Sequence, residues 1–228
     1  MGSKQSSSDY KVEKKKPSAP LNITGGLVDA EKLLNDPTNQ FGVCVGGCAA
    51  YAKKTRAQFV SFLDDRLEKF LSTKERCGYN KLVLVAGGNK SKYPKEGVDH
   101  GVQRALIEWA RGKLDVLCVC ILSTEMITFK LHVDPAACGD NVVFLQTHAT
   151  GSERRMWIGK TAATAEFVFV YAGGPGTVHE LQCMVKAGIN PSKVFGTGFE
   201  YCITCAKNKG HSDVVMLLTR TGESNKGS

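Results

Sequence analysis

Short apolar runs alternate with amphipathic stretches along most of the chain, and the clearest runs close on glycine. The strongest example spans residues 167–172, passes through Gly173, Gly174, Pro175, Gly176 and Thr177, and continues with Val178, Leu181 and Val185 at helical spacing. That pattern predicts a buried parallel strand, a tight turn and an amphipathic helix. Residues 41–45 predict an earlier strand running into Gly46 and Gly47. A helix follows over 53–73, with Phe59, Phe62, Leu63, Leu67, Phe70 and Leu71 as its apolar stripe. Residues 81–86 repeat the unit, ending at Gly87 and Gly88, with a lysine-bearing loop and a helix over 101–112. Further strands are predicted at 114–122, 141–146, 193–195 and 213–218, with a short amphipathic segment at 28–34, an irregular connection over 124–139 and a helix after Gly151. Strands alternating with helices at this rhythm predict an α/β fold: a doubly wound, mostly parallel sheet with helices on both faces.

Composition narrows the class. With 228 residues, 42% of them hydrophobic, the chain is long enough for one domain with a substantial core, expected over 21–219. Residues 1–20 are rich in Ser, Lys and Pro and predict a disordered basic tail, and 220–228 a flexible one. Of the formal +8 charge, the first tail holds three and the second one, leaving a mildly basic body. That suits a small phosphorylated ligand and argues against a nucleic-acid track, for which no dense basic and aromatic face is visible.

The nine cysteines lie mostly in apolar contexts and read as reduced residues of a cytoplasmic protein. Cys202 and Cys205, with His211 nearby, offer three ligands of a zinc site, but a reduced loop pair is the better reading. No stretch has the length and apolarity of a membrane span, and the start is too polar for a secretory signal. Met1, Gly2 and Ser6 fit the N-myristoylation pattern, with Lys14, Lys15 and Lys16 as a second, electrostatic membrane signal. A plain solvated tail accounts for the same residues, and both readings stay open.

The candidate chemistry gathers at the glycine turns. Backbone N–H groups uncovered by side chains, together with the positive end of the following helix, make a place for phosphate at Gly173, Gly174, Gly176 and Thr177. Gly46 with Gly47, and Gly87 with Gly88, are weaker candidates of the same kind. Lys90, Lys92 and Lys95 follow the second pair, where open α/β sheets bind ligands. Thr177 and Glu180 have the spacing of a capping box, a complete structural role. The same carboxylate in the first helical turn is also placed to face a bound ribose and support positive charge at its C1.

The octapeptide GGPGTVHE, residues 173–180, resembles the Gly-Gly-x-Gly-Thr-x-x-Glu signature of the lonely guy (LOG) phosphoribohydrolases, formerly described as lysine decarboxylase-like. Glu153, Arg154 and Arg155 are similar to that family's Glu-Arg-Lys, and Gly87 and Gly88 followed by residues 97–110 resemble the second glycine loop and helix of relatives. The similarity spans roughly residues 41–188. Ala172 stands where those enzymes have proline, Pro175 replaces an aromatic residue, and the interval from Arg154 to Gly173 is longer by about three residues, nearly one helical turn. The resemblance implies a Rossmann-like fold, a homodimer, no cofactor or metal, and release of an adenine-type base from a nucleoside 5'-monophosphate. In that reading Glu180 supports the transition state, Arg154 orients phosphate or ribose, and Arg155 is its reserve. The wider superfamily also contains nucleotide sensors and cofactor carriers, so a nucleotide-binding protein without turnover is the alternative.

Overall fold

Alternation of side chains across the strands divides the apolar residues between two cores. In β3 (Lys81–Gly87), Leu82, Leu84 and Ala86 enter one core and Val83 and Val85 the other. The structure, a computed structural model, describes residues 24–46, 53–87, 101–124 and 138–224. Gly2, Gly47, Gly88, the three loop lysines and the tail over 1–20 lie outside the described residues.

The elements preceding β3 are β1 (Gly25–Gly26), α1 (Leu27–Asn35), β2 (Asn39–Gly46) and α2 (Lys53–Cys77). After it come α3 (Gly101–Ala110), β4 (Val116–Ser123), β5 (Val142–His148), α4 (Gly151–Ala162) and β6 (Phe167–Tyr171). The chain then forms α5 (Pro175–Lys186), β7 (Val194–Thr197), α6 (Glu200–Asn208) and α7 (Ser212–Ser224). All strand pairs among the described residues are parallel, in the order β1-β5-β4-β3-β2-β6-β7. The apolar faces of α2 and α3 cover one side of the sheet; α1 and α4 to α7 cover the other. This is a Rossmann-like doubly wound arrangement. Strands β2 to β5 step toward one edge, and β6 then returns to the opposite side of β2. The reversal between β2 and β6 is a topological switch point, and open sheets of this kind bind ligands in the crevice outside the carboxyl ends of such strands.

Aromatic packing joins β6, which lies between β2 and β7, to α2. Phe167, Phe169 and Tyr171 project toward α2, where Phe59 lies 5.0 Å from Phe169 and 5.0 Å from Tyr171, centroid to centroid. Phe62 meets Phe169 at 4.5 Å. These tilted ring pairs contribute about 0.5–1.5 kcal/mol each beyond burial of their area. Of the expected stripe on α2, Leu71 is the exception: it is 46% exposed.

Three expectations are corrected. Residues 213–218 are helical, within α7: Val214, Leu217, Leu218 and Thr221 are buried while Met216 is 53% exposed, which is the three-and-four spacing of a helix. A short apolar run read without its flanks does not distinguish the two. The same helix continues through Ser224, beyond the boundary expected at 219. Cys202 and Cys205 are not a loop pair; both are buried on the inward face of α6. The short amphipathic segment expected at 28–34 is present, as the helix α1.

Candidate functional site

The turn after β6 is built from two residues with positive φ. Ala172 has φ 53° and Gly173 φ 126°, and the Ala172 N–H donates to Thr197 O at 2.9 Å on the neighbouring strand. Ala172 is the one non-glycine residue with positive φ among the described residues. Its left-handed backbone costs about 1–2 kcal/mol and is held by the flanking strands. The chain then enters α5 with Gly174 as N-cap and Pro175 at the first helical position, where its missing N–H costs nothing. The expected Thr177–Glu180 capping box is therefore not formed. Thr177 already lies in the first turn, and Glu180 lies one turn farther in, free of any capping duty. Gly173, Gly174 and Thr177 are buried, Gly176 is half-buried and Pro175 is exposed.

Released from the cap, Glu180 faces Arg154. Its Oε1 stands 4.0 Å from Arg154 Nη2, and the two side chains are 9% and 4% exposed. Arg154 comes from the first turn of α4, which has the capping box that α5 lacks. Thr150 Oγ1 accepts from Glu153 N at 3.2 Å, and Glu153 Oε2 accepts from Thr150 N at 3.0 Å. That cap fixes where α4 begins and hence which way Arg154 points. Thr150→Ala should cost about 1 kcal/mol, read as a lower denaturant midpoint with an unchanged slope.

The Arg154 guanidinium crosses the end of β3, where Gly87 leaves it room: a Cβ there would sit 2.1 Å from Arg154 Nη1. Gly87 thus serves close approach. Arg154 Nε and Nη1 are buried without a hydrogen-bond partner, as is Ser123 Oγ at the end of β4. Burial pushes the Glu180 carboxyl above its ordinary range, against the pull of Arg154 and Arg155. It likewise pushes the Arg154 guanidinium below its own range, against the pull of Glu180. Attraction across 4.0 Å does not recover the desolvation of either charge, and two donors remain unfilled. An oxyanion reaching Arg154 would satisfy those donors.

Arg155 points elsewhere: its Nε is 3.4 Å from where a Cβ on Gly176 would stand. It enters a separate cleft with His179, Gln182, Lys209 and His211. The two arginines therefore flank the start of α5 from different sides. Gly46 pairs with Tyr171 in register, placing the ends of β2 and β6 side by side at the switch point. So Gly46, Gly87, Gly173, Arg154 and Glu180 gather at the carboxyl edge of the sheet.

Sequence reasoning missed Ser123, whose hydroxyl closes an otherwise apolar strand, a position where it could have been noticed. It also missed His179, Gln182 and Lys209. His211, weighed as a zinc ligand, instead has Nδ1 at 2.9 Å from Gln182 Nε2. Among the described residues no group of three or more His, Cys, Asp or Glu is arranged to hold a metal, and no helix is long and apolar enough to cross a membrane. In comparisons with known proteins, no family model matches the chain and no curated protein matches its sequence.

Proposed function

We propose that the protein hydrolyses the N-glycosidic bond of an adenine-type nucleoside 5'-monophosphate, giving free base and ribose 5-phosphate. The observation that carries this reading is the buried Arg154–Glu180 pair beside the switch point, with two guanidinium donors of Arg154 unfilled. Phosphate or ribose oxygens supply the acceptors those donors lack. Glu180 then lies near the sugar, where its carboxylate stabilises the oxocarbenium-like charge at C1 as the base departs, and water completes the reaction. The first turn of α5, with Gly176 and Thr177, offers backbone N–H groups to the phosphate. Resemblance to the LOG phosphoribohydrolases supports the same assignment and suggests a homodimer. N-myristoylation of this chain at Gly2 is a separate proposal that mass spectrometry of the protein from eukaryotic cells would decide, an unmodified Gly2 ending it.

The test is incubation with AMP and an N6-substituted analogue. Free base and ribose 5-phosphate should appear in equal amounts, at a rate proportional to enzyme. A second reading, nucleotide binding without turnover, is favoured by the raised carboxyl of Glu180. Under it, AMP raises the melting temperature while no base is released. Neither stabilisation nor product would remove both readings.

A further inference from the structure

A second feature lies on the outward side of α5. Arg155, Gly176, His179, Gln182, Lys209 and His211 line an open cleft of about 370 Å³. They come from three places: Arg155 from α4, the next three from α5, and the last two from the turn joining α6 to α7. The lining holds an arginine, a lysine and two histidines and no carboxylate. Among the described residues no ion pair joins Arg155, His179 or Lys209 to an acid. Positive groups so close together, with no acid paired to them among the described residues, raise the local potential and concentrate anions.

The state of His179 fits that picture. Burial lowers its pKa from the usual value, and Arg155, Lys209, Lys186 and His211 lower it further. No carboxylate on α4, α5 or the α6–α7 turn offsets them. His211 is held in place by Gln182, whose side-chain nitrogen lies 2.9 Å from its Nδ1, so the ring is oriented before any ligand arrives. The volume is that of a small-molecule cleft. A guanidinium, an ammonium and imidazoles facing one space are the donor set for a phosphoryl group, with Arg155 able to bind two of its oxygens at once.

We propose that this cleft is an anion site for the phosphoryl groups of a small phosphorylated molecule, with side chains distinct from the Arg154–Glu180 pair and only Gly176, at the start of α5, bordering both. The two are on opposite flanks of the start of α5, one buried and one open. Failure of the glycosidic reaction leaves this site standing, because none of its cationic lining residues takes part in that chemistry as proposed.

The experiment uses the full chain and inorganic pyrophosphate as the probe, followed by calorimetry and by NMR of the histidine rings. Saturable binding is expected, with shifts of the His179 and His211 ring signals and a rise in the pKa of His179. Lys209→Glu, a substitution at an exposed residue, should weaken binding about 10-fold or more. Glu180→Gln should leave it unchanged, and the rate of AMP cleavage should be the same in Lys209→Glu as in the wild type. His179→Gln gives a second reading should the charge reversal alter the turn: the fold remains and pyrophosphate affinity drops. Binding that moves neither histidine signal, or that survives both substitutions intact, overturns the proposal, as does the absence of saturable binding.

Discussion

Glutamine in place of Glu180 is expected to lower the rate of base release from AMP by about 10³-fold, roughly 4 kcal/mol of transition-state stabilisation. The amide keeps the size of the side chain but cannot offer a full negative charge to the sugar as its C1 becomes cationic. Nucleotide binding should persist, because the phosphate is assigned to Arg154 and the start of α5. Loss should therefore fall on kcat with little change in KM. Removing a buried charge whose desolvation outweighs its attraction to Arg154 also changes stability, so the melting temperature has to be measured alongside. Glu180→Asp is the companion variant. It keeps the anion beside Arg154 and hence the fold, while drawing the carboxylate back by one methylene, so activity should fall without loss of stability. Full activity in the glutamine variant would remove Glu180 from the mechanism.

The acidity of Glu180 gives the same assignment a second readout. Burial raises its carboxyl above the ordinary value of 4.5, so protonation on acidification begins at a higher pH than for an exposed glutamate. Activity requiring the carboxylate should accordingly decline as pH falls through that raised value, and this limb should vanish from the residual rate of the glutamine variant. Stability runs the other way. A carboxyl whose folded pKa lies above its unfolded value binds its proton more readily in the native state, so the penalty of burying the charge is present at neutral pH. It is relieved as pH falls through the folded pKa. Opposite trends in rate and stability over one pH range would identify a buried carboxylate as the titrating group.

The fold was legible wherever an apolar run ended on glycine. Each of β2, β3 and β6 carried both signals, and each lies within one or two residues of its predicted position. The miss at α7 has a local cause: Val214, Val215, Met216, Leu217 and Leu218 are contiguous, and only their burial, not their order, shows the helical period. At the site, residue types were readable and their pairings were not. Thr177 and Glu180 have the capping-box spacing, yet Pro175 moves the helix start upstream and frees the carboxylate for Arg154, a residue 26 positions earlier in the sequence. Neighbouring arginines look equivalent on paper. Once α4 starts at Gly151, successive residues turn about 100° apart, so Arg154 enters the core and Arg155 the open cleft. The cleft itself was not legible, because it joins α4 and α5 to a turn far along the chain.

Gly46→Ala is expected to destabilise the protein by about 3 kcal/mol or more, the sum of overpacking and backbone strain. Gly46 has φ +121°, and a methyl group on it would stand 2.2 Å from Tyr171 O and 2.9 Å from Tyr171 C. These are backbone atoms of the strand with which Gly46 is in register, so no side chain can swing aside. Relief requires β2 and β6 to separate at their carboxyl ends, which is where the switch-point crevice opens and where the turn into α5 begins. For a domain of this size the melting temperature should drop by about 6–12 °C. AMP binding should weaken as well, since Ala172 and Gly173 of the turn follow the displaced strand. Gly112→Ala is the control: Gly112 has φ +76°, but nothing lies within 4 Å of the added carbon. Its cost is the left-handed backbone alone, about 1–2 kcal/mol, with no effect on nucleotide binding. Equal losses in the two variants would assign the effect at Gly46 to its backbone angle rather than to the contact between β2 and β6.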